Sequence, residues 1–78
     1  MLMLKGSREV IVRKIQPISI HGQISLDVYY VPADEPEEQV RVARLGAESV
    51  PKGLDSGQRA FVHFMLGVPT QITLTPEP

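Results

Sequence analysis

Few residues in this chain have types and spacings that could do chemistry. They are His21 and His63, Ser49 and Ser56, Asp55, the acidic string Asp34-Glu35-Pro36-Glu37-Glu38, and arginines set among aromatic rings. The two histidines are far apart in sequence and no third ligand stands at metal-binding spacing, so they do not make a zinc site. The acidic string lacks the alternating oxygen ligands and central glycine of an EF-hand loop and reads as a solvated loop. Nothing in the spacing of Ser49, Ser56, Asp55 and His63 selects a nucleophile, a base and an orienting group. Gly53 and Gly57 lack the pattern of a phosphate-cradling loop. No catalytic residue, metal or cofactor is therefore expected.

Recognition is the remaining chemistry. At strand period Arg59, Phe61 and His63 share a face, placing a guanidinium beside two flat π-surfaces, the combination that single-stranded nucleic acids use. The string Phe61-Val62-His63-Phe64 resembles the second nucleic-acid-binding motif of cold-shock domains, which implies an OB barrel presenting rings for base stacking. Arg41 and Arg44 would then serve as phosphate contacts. The resemblance covers four residues of the 78. The family's companion motif, lysine-glycine-aromatic-glycine-aromatic, has no counterpart, because Lys52-Gly53-Leu54-Asp55-Ser56-Gly57 carries an acid and no ring. The competing reading puts Phe64 in the core with Ala60, Val62 and Leu66, and leaves Phe61 to cover a second cluster or an interface.

The elements that must position these residues are strands. Ile24, Leu26, Val28 and Tyr30 alternate with Ser25, Asp27 and Tyr29, the pattern of a half-buried strand with Tyr29 outward. Noisier stretches at residues 9–20, 39–45, 59–66 and 70–75 complete a set of five. His21-Gly22 is a tight turn that makes a hairpin of residues 9–20 and 23–31. Pro17 suggests a bulge or an edge near Gln16. Residues 39–45 are ambiguous. Asp34 can cap a helix with Glu37 and Glu38 in its first turn, but Val40 and Val42 alternate at strand period, which favours a strand. A single 3₁₀ turn fits within residues 46–57, and Gly67-Val68-Pro69 turns the chain into the last strand. The fold class is all-β, a small five-stranded barrel or sandwich, OB-like or SH3-like. It forms one domain over residues 1–78 with ends frayed at about 1–7 and 76–78.

Composition narrows the setting. Eight Lys and Arg against nine Asp and Glu give a net charge of −1, so no overall pull toward nucleic acid or anionic lipid exists. Without cysteine there are no disulfides, and a small disulfide-free chain fits the cytoplasm. Met1-Leu2-Met3-Leu4 is too short for a signal peptide or a membrane span. The expected protein is soluble and engages no membrane.

Such a module acts by interaction. The leading expectation is a non-catalytic accessory subunit that binds another protein, or itself as a homodimer, through an edge strand or a strand face bearing Arg59, Phe61 and His63, with Tyr29 suited to an interface. The uncharged last strand and the Pro17-interrupted first strand are the candidate edges. The alternative is a single-stranded nucleic-acid binder using the same face with Arg41 and Arg44. A small enzyme subunit, with His63 or Asp55 at a barrel mouth, is a third.

Overall fold

The computed structural model describes residues 5–76; of the ends expected to fray, about 1–7 and 76–78, residues 1–4 and 77–78 lie outside them, and residues 5–7 form the start of a strand. Five strands follow one another: β1 (Lys5–Ile20), β2 (Gln23–Pro32), β3 (Arg41–Gly46), β4 (Arg59–Met65) and β5 (Val68–Thr73). They form one antiparallel sheet in the order β3-β2-β1-β4-β5. Strands β4-β1-β2-β3 make a Greek key, to which β5 is added as a hairpin. The outermost strands, β3 and β5, run parallel and touch, yet they share no ladder. The structure therefore shows an all-β domain of five antiparallel strands in one curled sheet that no ladder closes between β3 and β5.

Two hairpin turns share one geometry. His21 and Gly22 have φ of 51° and 79°, and Leu66 and Gly67 have φ of 52° and 79°. Positive φ at both central residues is the two-residue turn whose twist matches that of the flanking strands. The second turn therefore sits at Leu66-Gly67, and the expected turn at Gly67-Val68-Pro69 is corrected. β5 starts two residues earlier than expected and contains Pro69. The ambiguous stretch 39–45 is strand from Arg41 onward, β3 running on to Gly46 with Gln39 and Val40 outside it, and the 3₁₀ turn falls at Ala47–Ser49.

β1 is long because it has two partners in succession. Lys5 to Ile11 pair with β4, and Val10 to Ile20 pair with β2. The register shifts between Val12 and Lys14, so Arg13 is the extra residue of a bulge, not a residue near Pro17. Pro17 disturbs nothing, for a reason that follows from the turn. Ile20 and Gln23 close a two-residue hairpin and exchange both hydrogen bonds, and bonded and non-bonded pairs then alternate. Pro17 opposite Leu26 is a non-bonded pair, where the strand's N–H would point away from β2 in any case.

Because the bulge resets the alternation, the inner face takes Val10 and Val12 before it and Ile15 after it. These pack with Val28, Tyr30, Ala43, Leu45, Ala60, Val62 and Ile72, while Val50 closes one end beyond the 3₁₀ turn. Two residues expected in this core lie outside it. Ile24 is 62% exposed because it sits near the tip of the β1–β2 hairpin, and Leu66 is 65% exposed because it forms the tip of the β4–β5 hairpin. Among the described residues no helix is long and apolar enough to cross a membrane.

Candidate functional site

The outer face of the sheet carries five of the six residues singled out from the sequence. Arg59, Phe61 and His63 lie along β4, with Glu9 opposite Phe61 on β1 and Thr73 opposite it on β5. Tyr29 and Arg44 lie on the same face of β2 and β3. Tyr29 is paired with Lys14 and Phe61 with Glu9. The two aromatic positions are thus separated by about five residues of β1, or roughly 17 Å at strand rise. Arg41 is opposite inward-facing Tyr30 and so belongs to the other face, at its margin. The sheet brings Arg59, Phe61 and His63 together, sets Tyr29 and Arg44 apart from them, and leaves Arg41 out.

Each of these arginines already faces a carboxylate. Arg59 Nη1 is 2.8 Å from Glu9 Oε2, and Arg41 Nη2 is 3.2 Å from Glu38 Oε2. Arg44 grips Asp27 with both arms of its fork, Nε to Oδ1 at 2.8 Å and Nη2 to Oδ2 at 3.0 Å. This bidentate hydrogen bonding, with the attraction of the guanidinium, holds the Asp27 carboxyl below the usual range against the opposing effect of burial, and raises Arg44. Asp27 is buried, although the alternation placed it on the solvent side. Arg8 faces Glu35 at 3.4 Å and Asp34 at 3.8 Å. Only the Arg44 fork is occupied on both arms; the others keep donors, but the facing carboxylate offsets the positive charge a phosphate would seek.

The remaining groups are also engaged. His63 Nε2 is 2.7 Å from Thr73 Oγ1, whose hydroxyl donates to the Thr75 carbonyl. The threonine oxygen is therefore the acceptor and the imidazole the donor. The Lys14 ammonium lies 5.7 Å from the centre of the Tyr29 ring, within cation–π reach. Tyr30 is buried and its phenol is pushed up by desolvation. Asp55 accepts from the Ser56 backbone N–H, which ties it into its own loop. Among the described residues no cluster of three metal-ligating side chains occurs.

What the sequence reading did not single out is where apolar surface is left uncovered. Ile24, Met65, Leu66 and Val68, between 47% and 65% exposed, lie at the two hairpin ends, while Val40, Val42 and Leu74 are exposed singly before β3, on β3 and after β5. Residues 15–26 and 60–76 contain no Asp, Glu, Lys or Arg, a signal present in the sequence itself. The free strand edges, by contrast, are guarded. On its β4 side β1 is bonded as far as Val12, whose N–H donates to the Gln58 carbonyl and whose carbonyl accepts from the Gly57 N–H; further along that edge has no ladder partner, and there Pro17 presents a ring nitrogen instead of a donor. On β5, Met65 and Val68 close the turn, so Pro69 opposite Phe64 is likewise a non-bonded position with its nitrogen facing outward. β3 carries Arg41 and Arg44. Proline and charge are the usual means of blunting an edge. The chain matches no family model, no curated protein and no solved structure, so its surface alone must argue for its function.

Proposed function

We propose that this chain is a non-catalytic interaction module of the cytoplasm, an OB-like, partly open Greek-key barrel that binds another polypeptide through its exposed apolar hairpin ends. The five-strand Greek-key order favours the OB-like over the SH3-like description. One observation carries the reading: large apolar side chains are exposed at the uncharged hairpin ends, while every free edge is blunted. Strand addition, one of the two routes expected from sequence, is thus disfavoured, and the hairpin-end contact is a route distinct from the expected face of Arg59, Phe61 and His63. The test is a photo-crosslinking residue placed at position 24 or 65 in cells producing the chain, with position 37 in the acidic loop as control. Polypeptide adducts from 24 or 65, and none from 37, support the module. Adducts that nuclease removes overturn it.

A second reading rests on the half-buried Phe61 ring beside His63, on the outer face of an OB-like sheet. Single-stranded nucleic acid would stack there. It predicts shifts at Arg59, Phe61 and His63 in a heteronuclear NMR titration with mixed-sequence single strands, fading as salt rises. An unchanged spectrum at low salt removes it. The ion-paired arginines favour the first reading.

A further inference from the structure

We propose, resting on the module reading above, that the polypeptide bound is a second copy of this chain, joined head to tail, with the β4–β5 tip of one copy seated in an apolar cleft at the far end of the next. The tip is the donor half. Met65, Leu66 and Val68 are 47%, 65% and 59% exposed. Leu66 holds φ at 52°, a left-handed conformation that glycine or asparagine adopts at far less cost than a bulky side chain. His21 occupies the same position in the other turn, and histidine is among the residues that tolerate it better. A strained backbone that keeps a leucine at the outermost point of a hairpin asks for a role for that leucine.

The cleft is the acceptor half. Where the inner face runs out past the core, Ile15 and Leu26 form one wall, and Ala47, Val50 and Leu54 form the other, around about 260 Å³. That exceeds the roughly 150 Å³ apolar cavity that accommodates benzene, so one or two aliphatic side chains fit. Lys52 is the only charged residue of the lining, and among the described residues it has no carboxylate within ion-pair distance. The tip offers it the right chemistry. No charge stands between residues 60 and 76, and the carbonyls of Leu66 and Gly67 lie outside the ladder that closes at Met65 and Val68. An ammonium donating to turn carbonyls at the rim, over an apolar plug, is complementary in both polarity and size.

Position makes the contact head to tail. Met65 pairs with Lys5 at the start of β1, while Ile15 lies ten residues further along the same strand. That is about 33 Å at strand rise, against a longest molecular dimension of 39 Å. Knob and cleft on opposite ends of one molecule cannot satisfy each other internally, and between copies they make a heterologous contact that propagates into a ring or filament.

The test uses two variants and their mixture. Leu66→Asn removes the knob and relieves the left-handed strain. Ala47→Lys fills the cleft from an exposed position and leaves the knob intact. Sedimentation equilibrium from micromolar to millimolar chain should show wild type growing beyond dimers and each variant remaining monomeric. The two variants mixed should give one-to-one dimers, since one good knob then meets one good cleft. Backbone spectra of both variants should match wild type, which separates lost association from lost folding. A wild type that stays monomeric at millimolar concentration overturns the proposal, as does self-association of Ala47→Lys alone, which would mean a tip-to-tip dimer. Neither result touches the module reading, which stands or falls on the crosslinks from positions 24 and 65.

Discussion

The middle of this sheet and its two hairpin ends solve the problem of exposure in opposite ways. The middle is charged and largely ion-paired, with Val42 its one large exposed aliphatic among the described strand residues. Arg8, Arg41, Arg44 and Arg59 each meet a carboxylate, and the inner face between them is filled by fully buried valines. The ends carry no charge and expose Ile24, Met65, Leu66 and Val68. Paired charges keep a surface soluble and weakly attractive to other molecules, whereas uncharged apolar ends leave something to bury. The lesson is one of division of labour within 78 residues. The middle supplies the core, which a chain of this size has little room to duplicate, and the ends are released for contact.

Two valines on neighbouring strands sharpen that contrast most. Val62 is fully buried and Val68 is 59% exposed. Valine to threonine keeps shape and strand preference and adds one hydroxyl. Val62→Thr buries that hydroxyl in the core and should cost roughly 1–3 kcal/mol in urea unfolding. Val68→Thr should stay within about 0.5 kcal/mol in dilute solution. Equal costs would break the comparison, because they would mean that the tip is buried too.

The next effect is on the acid side. The bidentate bond from Arg44 holds Asp27 below the usual carboxylate range, so the native state binds fewer protons there than the unfolded state. Its contribution is fully present above the ordinary aspartate value, about 3.9, and is lost as pH falls through the depressed native value. Stability measured by denaturant from neutral pH downward should show that loss in wild type. Asp27→Asn should start lower at neutral pH and lack that limb. A variant curve parallel to wild type throughout would show that the pair contributes nothing.

Smaller again is the relief of the β4–β5 turn. Leu66→Asn should raise the stability of the dilute chain by about 1 kcal/mol, the lower end of the cost of a left-handed residue. His21→Asn, in the matching turn, should give less, because histidine is already among the tolerant types. Thermal midpoints of the two variants side by side decide it, and equal gains would remove the argument that Leu66 is kept at the tip despite strain.

These particular residues also show how far the sequence could be read. Five strands, the His21-Gly22 hairpin and the 3₁₀ turn were legible because alternation and glycine act locally. The phase of β1 was not. The bulge at Arg13 leaves no mark of its own, and Pro17, the residue that looked like the interruption, occupies a position where no hydrogen bond is lost. The β4–β5 turn was displaced for a similar reason. Pro69 looked like a turn residue, yet it lies in the strand with its nitrogen outward, and leucine is a poor advertisement for positive φ. The aromatic–histidine face was found, but its arginines were read as free. Their pairing depends on register across strands, which places Glu9 beside Arg59 and Asp27 beside Arg44.

The smallest effect belongs to the acidic loop and carries the opposite sign to that of Asp27. Glu35 shares a hydrogen bond with Glu38, and that bond, with the repulsion of Glu38 and Asp34, holds the Glu35 carboxyl above its usual range, against the pull of Arg8. The native state therefore binds more protons there than the unfolded one, and stability falls as pH rises from the ordinary glutamate value through the raised native value. Glu35→Gln keeps the Glu38 partner, leaves Asp34 to Arg8, and removes the titration. Its stability curve should be flatter than that of wild type in that window and slightly higher at neutral pH, with the difference shrinking as salt screens the exposed loop. A curve that keeps the wild-type slope would place that limb elsewhere in the chain. Charge in this loop would then be as neutralised as it is on the sheet, and the contrast between middle and ends would rest on the hairpins alone.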